Sequence, residues 1–190
     1  MGLCFKRIEV SCWFEKYMTN WTHKQKPDND FMSSFSNDTK KYLGIIDGFP
    51  STDISKWLLD SFQLLNTNWP NIYSDYSFIV IPASKALESW IFKLAFDLKI
   101  QTNTDKAGVV RDQIESELKN LLVDIEKRVG ESIEIDINYL KNFIREYRHE
   151  IVHHSKKIEN SGMAKSKVFA IYERLNSVTD KLIKSGLIKI

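Results

Sequence analysis

The sequence predicts an all-α protein, an up-and-down helical bundle preceded by a less regular N-terminal segment, and three observations lead there. Only 7 Gly and 4 Pro interrupt 190 residues, too few for the turns of an all-β sandwich. Apolar residues recur at intervals of three and four along most of the chain rather than alternating. Hydrophobic residues make up 43% of the chain and charged residues 27%, enough to bury one core and inconsistent with a disordered polar tract. No internal repeat, low-complexity tract or sustained heptad seam interrupts that pattern.

Residues 3–17 carry Phe5, Ile8, Cys12 and Trp13 on a loose helical stripe, and residues 19–50, rich in Asn, Asp, Lys and Ser, are the least legible part of the chain. Ser51-Thr52-Asp53 then supplies N-cap chemistry for a helix bearing Ile54, Trp57, Leu58, Phe62 and Leu65. That helix should stop before Trp69-Pro70, because the residue ahead of a proline is pushed out of the α region. Across residues 73–100 Phe78, Ile81, Ala86, Leu87, Trp90, Ile91, Leu94 and Leu98 cover so wide an arc that a central helix is expected, begun or kinked at Pro82.

A polar break at residues 101–107 precedes an amphipathic helix with Val110, Ile114, Leu118, Leu121, Leu122, Ile125 and Val129 on one side and Gly130 at its end. Ser132-Ile133-Glu134-Ile135-Asp136-Ile137 alternates like a short strand, but Asp136 is equally a cap for the next helix, and a linker with that cap is the preferred reading. Leu140, Ile144, Tyr147 and Ile151 form the stripe of that helix. The last helix, about residues 164–184, uses Val168, Ile171, Tyr172, Leu175, Val178 and Leu182. Residues 1–72 are read as an N-terminal helical extension and residues 73–190 as the bundle.

Lys plus Arg number 27 and Asp plus Glu 25, a net charge of +2, so no global basic field announces a nucleic-acid binder and any basic surface is local. Cys4 and Cys12, eight positions apart, share a helix side rather than make a disulfide framework, which favours a reducing compartment. The opening MGLCFKRIEV has no secretory apolar core, and no run approaches a membrane span. A soluble, cytoplasmic protein with no membrane partner is expected. No Gly-rich phosphate loop, CxxC pair or nucleophile elbow is present.

Chemistry concentrates in residues 145–154, REYRHEIVHH, which hold three of the four histidines. Two readings compete for the same letters. His149-Glu150-Ile151-Val152-His153 has the HExxH spacing that places two imidazoles on one helical face to bind zinc, with Glu150 as general base and Glu173, twenty residues on, as a third ligand. Against a zinc metallopeptidase, Arg148 sets a cation beside the dication, and nothing upstream reads as the edge strand that aligns a peptide.

The second reading takes Arg148-His149-Glu150-Ile151-Val152-His153 as an arginine, a polar residue directly after it, and a histidine with four residues between. This resembles the Rx4-6H motif of the HEPN superfamily, helical-bundle ribonucleases of toxin–antitoxin, phage-defence and RNA-processing systems. The run from Phe78 through Pro82, Ala83, Leu87 and Glu88 to Leu94 is similar to an early helix of HEPN proteins related to ribonuclease-LS-type toxins. The resemblance spans roughly residues 73–185.

It implies a metal-independent endoribonuclease with no cofactor, cutting RNA at a composite site in a homodimer, with an antitoxin or other protein as regulator. His153 would act as general base towards the ribose 2′-hydroxyl or acid towards the leaving oxygen, and Arg148 would hold the scissile phosphate. His149 and His154 would support them, and Glu88 would orient Arg148 through a carboxylate pair. Lys156 and Lys157, with Lys165 and Lys167 further on, would grip RNA phosphates. Ser155 stands where a subgroup has a tyrosine that partner nucleotidyltransferases modify, so that mode of neutralisation is not expected. A HEPN fold kept only for dimerisation or RNA binding is the other alternative.

On a regular helix Arg148 and His153 lie about 140° apart and about 7.5 Å apart along the axis, so they line one cleft only from its two flanks or where the helix loosens. His154, about 240° from Arg148, falls near the apolar stripe and ranks second for catalysis. Trp57 and Trp90 belong to apolar faces and are expected in the core. Trp21 and Trp69, in irregular stretches, are freer to meet a partner.

Overall fold

The computed structural model describes residues 35–46, 49–67, 75–100, 111–130, 133–145, 158 and 160–190. These form an all-α bundle of six helices. The first, α1 (Asn37–Leu43), begins where the Ser36 side chain accepts from the Thr39 amide at 3.1 Å. It closes at Gly44, whose φ of +80° belongs to the left-handed region. A Cβ at Gly44 would collide with the Thr52 methyl group, so glycine alone lets the chain turn here. Ile45–Ile46 (β1) and Phe49–Pro50 (β2) then form a two-residue antiparallel ladder, Ile45 opposite Pro50 and Ile46 opposite Phe49.

Thr52 joins the first two helices. Its hydroxyl donates to the Leu43 carbonyl at 2.6 Å and accepts from the Ser55 amide at 3.2 Å, while the Thr52 amide donates to Ser55 Oγ at 3.0 Å. This reciprocal capping box starts α2 (Asp53–Asn66), which ends ahead of Trp69-Pro70 as the proline rule requires. A 3-10 turn at Ser77–Ile79 leads into α3 (Ile81–Asp97), with Pro82 in the first turn, where its missing N–H costs nothing. The buried arc of α3 runs through Ala83, Ala86, Leu87, Trp90, Ile91, Leu94 and Ala95, so this is the central helix, packed against α2, α4 and α6.

Helix α4 (Arg111–Val129) stops at Gly130, whose φ is +93° and whose amide donates to the Glu126 carbonyl at 2.8 Å. Helix α5 (Glu134–Phe143) corrects the expected linker. Ile133 occupies the cap position with no side-chain cap, and Asp136 lies inside the first turn. The reason is burial at helical spacing: Ile133, Ile137, Leu140 and Ile144 are buried, while Ile135, which a strand would place on their face, is 80% exposed. Helix α6 (Ser161–Lys184) starts three residues earlier than expected because the Asn160 side chain accepts from the Met163 amide at 2.8 Å.

All six stripe residues named for α6 are buried. The helix packs on α1, α3, α5 and the 3-10 turn. One hydrophobic cluster runs from Phe35 through Leu58, Leu65, Trp90, Leu122 and Leu140 to Ile188. It crosses residue 72 without a break, so residues 35–67 of the expected N-terminal extension are built into the same core. Tyr172 illustrates the joint. Its hydroxyl donates to the Leu58 carbonyl at 3.1 Å, and burial holds its phenol well above the ordinary tyrosine range. None of the described helices is long and apolar enough to cross a membrane. The expectations for residues 3–17, for Cys4 and Cys12, for Trp21 and Trp69, and for the break at 101–107 lie outside the described residues.

Candidate functional site

Arg148, His149, Glu150, His153, His154, Lys156 and Lys157 lie outside the described residues. The structure describes the elements on either side of them, and both are tied down by carboxylates. Upstream, α5 passes through Phe143 into a wider, π-type turn at Ile144 and Arg145, three residues before Arg148. Downstream the described chain resumes at Ile158, five residues after His153, and continues through the Asn160 cap into α6.

The upstream anchor is Asp136. Its side chain is only 6% exposed, a costly place for a carboxylate without partners. Three are supplied from one face of α6: Arg174 donates to Oδ1 at 3.0 Å, and Ser177 and Lys181 donate to Oδ2 at 2.8 and 3.1 Å. Arg174 also lies over the Tyr139 ring, 5.3 Å from its centroid. Beside this cluster Lys141 of α5 donates to Glu126 of α4 at 2.6 Å. The helix that delivers the chain to Arg148 is therefore held ionically on two sides.

Sequence reasoning took Asp136 for a cap and missed its partners. The available signal was the spacing of Arg174, Ser177 and Lys181, three and four apart on one helical face. Asp136→Ala would remove the buried carboxylate that Arg174 and Lys181 share, with solvent reaching part of both cations. We expect a loss of about 2–3 kcal/mol, and about half that for Asp136→Asn. Urea unfolding with an unchanged m value would measure it.

The downstream anchor is Asp75. Its Oδ1 accepts from the Ser77 amide at 2.9 Å, the Ser77 hydroxyl at 2.5 Å and the Ile158 amide at 3.1 Å. The next amide, Tyr76, donates to the Ile158 carbonyl at 2.9 Å. Ile158 is thereby bonded through both its N–H and its C=O to the turn that starts α3, and its side chain is buried.

The remaining expected residues are dispersed. Glu88 is on α3, largely covered at 18% exposure, and accepts from Lys85 at 3.4 Å, one turn back on the same helix. Lys165 and Lys167 are half-buried near the start of α6, and Glu173 is exposed on the same helix. Among the described residues no group of three His, Cys, Asp or Glu side chains is placed to hold a metal ion. Trp90 is fully buried and Trp57 packs partly buried against the core. No family model, no curated protein and no solved structure matches this chain.

Proposed function

We propose that the protein is a metal-independent endoribonuclease of the HEPN type, the toxin or effector of a defence or toxin–antitoxin module. The observation that carries this reading is Arg148 followed by a polar residue and, after four intervening positions, His153. The all-helical architecture is in keeping with it. His153 takes the proton of a ribose 2′-hydroxyl as the 2′-oxygen attacks phosphorus, or returns a proton to the departing 5′-oxygen. Two copies of the motif, one from each protomer of a homodimer, supply the two roles. Arg148 binds the non-bridging oxygens with a planar pair of donors and stabilises the added charge, an effect of about 2.7–4 kcal/mol if it matches one oxyanion-hole donor. One P–O bond forms and one breaks, leaving a 2′,3′-cyclic phosphate and a 5′-hydroxyl.

The test is incubation of purified protein with single-stranded RNA in EDTA. Cleavage with cyclic-phosphate ends is expected for the wild type and is expected to disappear in a folded Arg148→Ala variant. Stoichiometric zinc with EDTA-sensitive peptide hydrolysis would replace this reading with the metallopeptidase one. RNA binding without cleavage, unaffected by the substitution, would leave a non-catalytic HEPN module.

A further inference from the structure

The outer face of α3 presents an aromatic ring to solvent. Phe96 is 81% exposed, the most exposed large apolar side chain among the described residues, while Phe92, one turn back, packs partly buried against the core. On a helix Lys85, Phe92 and Phe96 fall within about 40° of one another, and Glu88 lies about 40° to the other side of Phe92. Both lysines of α3 are paired, Lys85 with Glu88 at 3.4 Å and Lys93 with Asp97 at 2.9 Å. The face therefore offers no excess of cations to a phosphate chain, and an aromatic ring set among matched charges suits a protein surface instead.

We infer that this face docks a second copy of the chain, the two α3 helices running antiparallel about a twofold axis at Phe92. That register is self-complementary, because Phe92 meets its own counterpart while aromatic and charged groups on either side exchange partners. Phe96 and Glu88 stand about 6 Å from the axis in opposite directions along the helix, and Lys85 and Lys99 about 10.5 Å. Phe96 of one copy thus falls about 4.5 Å along the axis from Lys85 of the other, within cation–π reach. Glu88 falls as close to Lys99 of the other copy. Lys99 is exposed and ends α3 at a left-handed φ of +54°, a position that glycine usually fills. The homodimer of the ribonuclease reading would use this contact, and in that use the inference rests on that reading.

The experiment is sedimentation equilibrium of the full-length protein without RNA, from about 1 to 200 µM, since a contact centred on one helix face is at the small end of interfaces. A reversible dimer is expected. Phe96→Lys, set against Lys85 of the other copy, should raise Kd at least about tenfold, and Phe96→Glu, which that lysine can pair with, should raise it less. Ile135→Glu alters a residue of α5 that is just as exposed, at 80%, and should leave Kd within about twofold. Circular dichroism checks folding, and Phe96→Ser takes the place of Phe96→Lys if the lysine variant does not fold. A wild type that stays monomeric, a Kd indifferent to Phe96→Lys, or an equal loss in Ile135→Glu would overturn the docking face. Equal weakening by Phe96→Lys and Phe96→Glu would overturn the antiparallel register. RNA left intact by a protein that dimerises in this way would overturn the ribonuclease reading and leave the docking face standing.

Discussion

Trp90→Ala is expected to destabilise the protein by about 4 kcal/mol, a large part of the roughly 5–15 kcal/mol that holds a typical domain folded. The indole is fully buried on α3 and its Nε1 donates to Thr179 Oγ1 of α6 at 3.0 Å. Truncation removes the largest fully buried side chain among the described residues and opens a cavity between α3 and α6. It also strips a hydrogen bond from Thr179, itself buried. Trp90→Phe refills most of the volume and loses chiefly the hydrogen bond, so about 1–2 kcal/mol is expected. Denaturant titration followed by circular dichroism should return that order, and a Trp90→Ala stability within about 0.5 kcal/mol of wild type would mean that α3 is not the centre of the bundle.

The second large effect concerns His153. If the imidazole transfers the proton, His153→Ala should lower kcat for RNA cleavage by about 10²–10⁴ while RNA affinity, set mainly by phosphate contacts, changes little. The wild-type rate should show the limb of a general base or acid in its pH profile, and the variant should lose it. Added zinc should restore nothing. His154→Ala, the second-ranked histidine, should cost much less. A His154 variant slower than the His153 variant would reassign the catalytic histidine, and equal loss of zinc and activity in His149→Ala and His153→Ala would favour the metallopeptidase.

Features set by neighbouring residues were legible. Thr52 as a cap, Pro82 at a helix start, Gly130 at a helix end and the stripe from Val168 to Leu182 all follow from spacing within a few residues. The short helix Asn37–Leu43 escaped notice because it buries only Thr39, Tyr42 and Leu43, too few positions to establish a period. The run from Ser132 to Ile137 misled because alternation over six residues fits a strand as readily as a helix. Burial of Leu140 and Ile144 on the same side as Ile133 and Ile137 decides for the helix.

The amino-acid order by itself determined the all-α fold class, the apolar stripes of its longer helices and the arginine–histidine pair that carries the functional proposal. Only the tertiary structure decided that residues 35–67 share the core of the later helices, and that Asp136 and Asp75 anchor the elements flanking that pair. The physical reason is range. Caps and stripes depend on groups within one or two turns, whereas the partners of Asp136 lie 38 to 45 positions away and the Asp75 bond to Ile158 spans 83, distances along the chain that only packing can close.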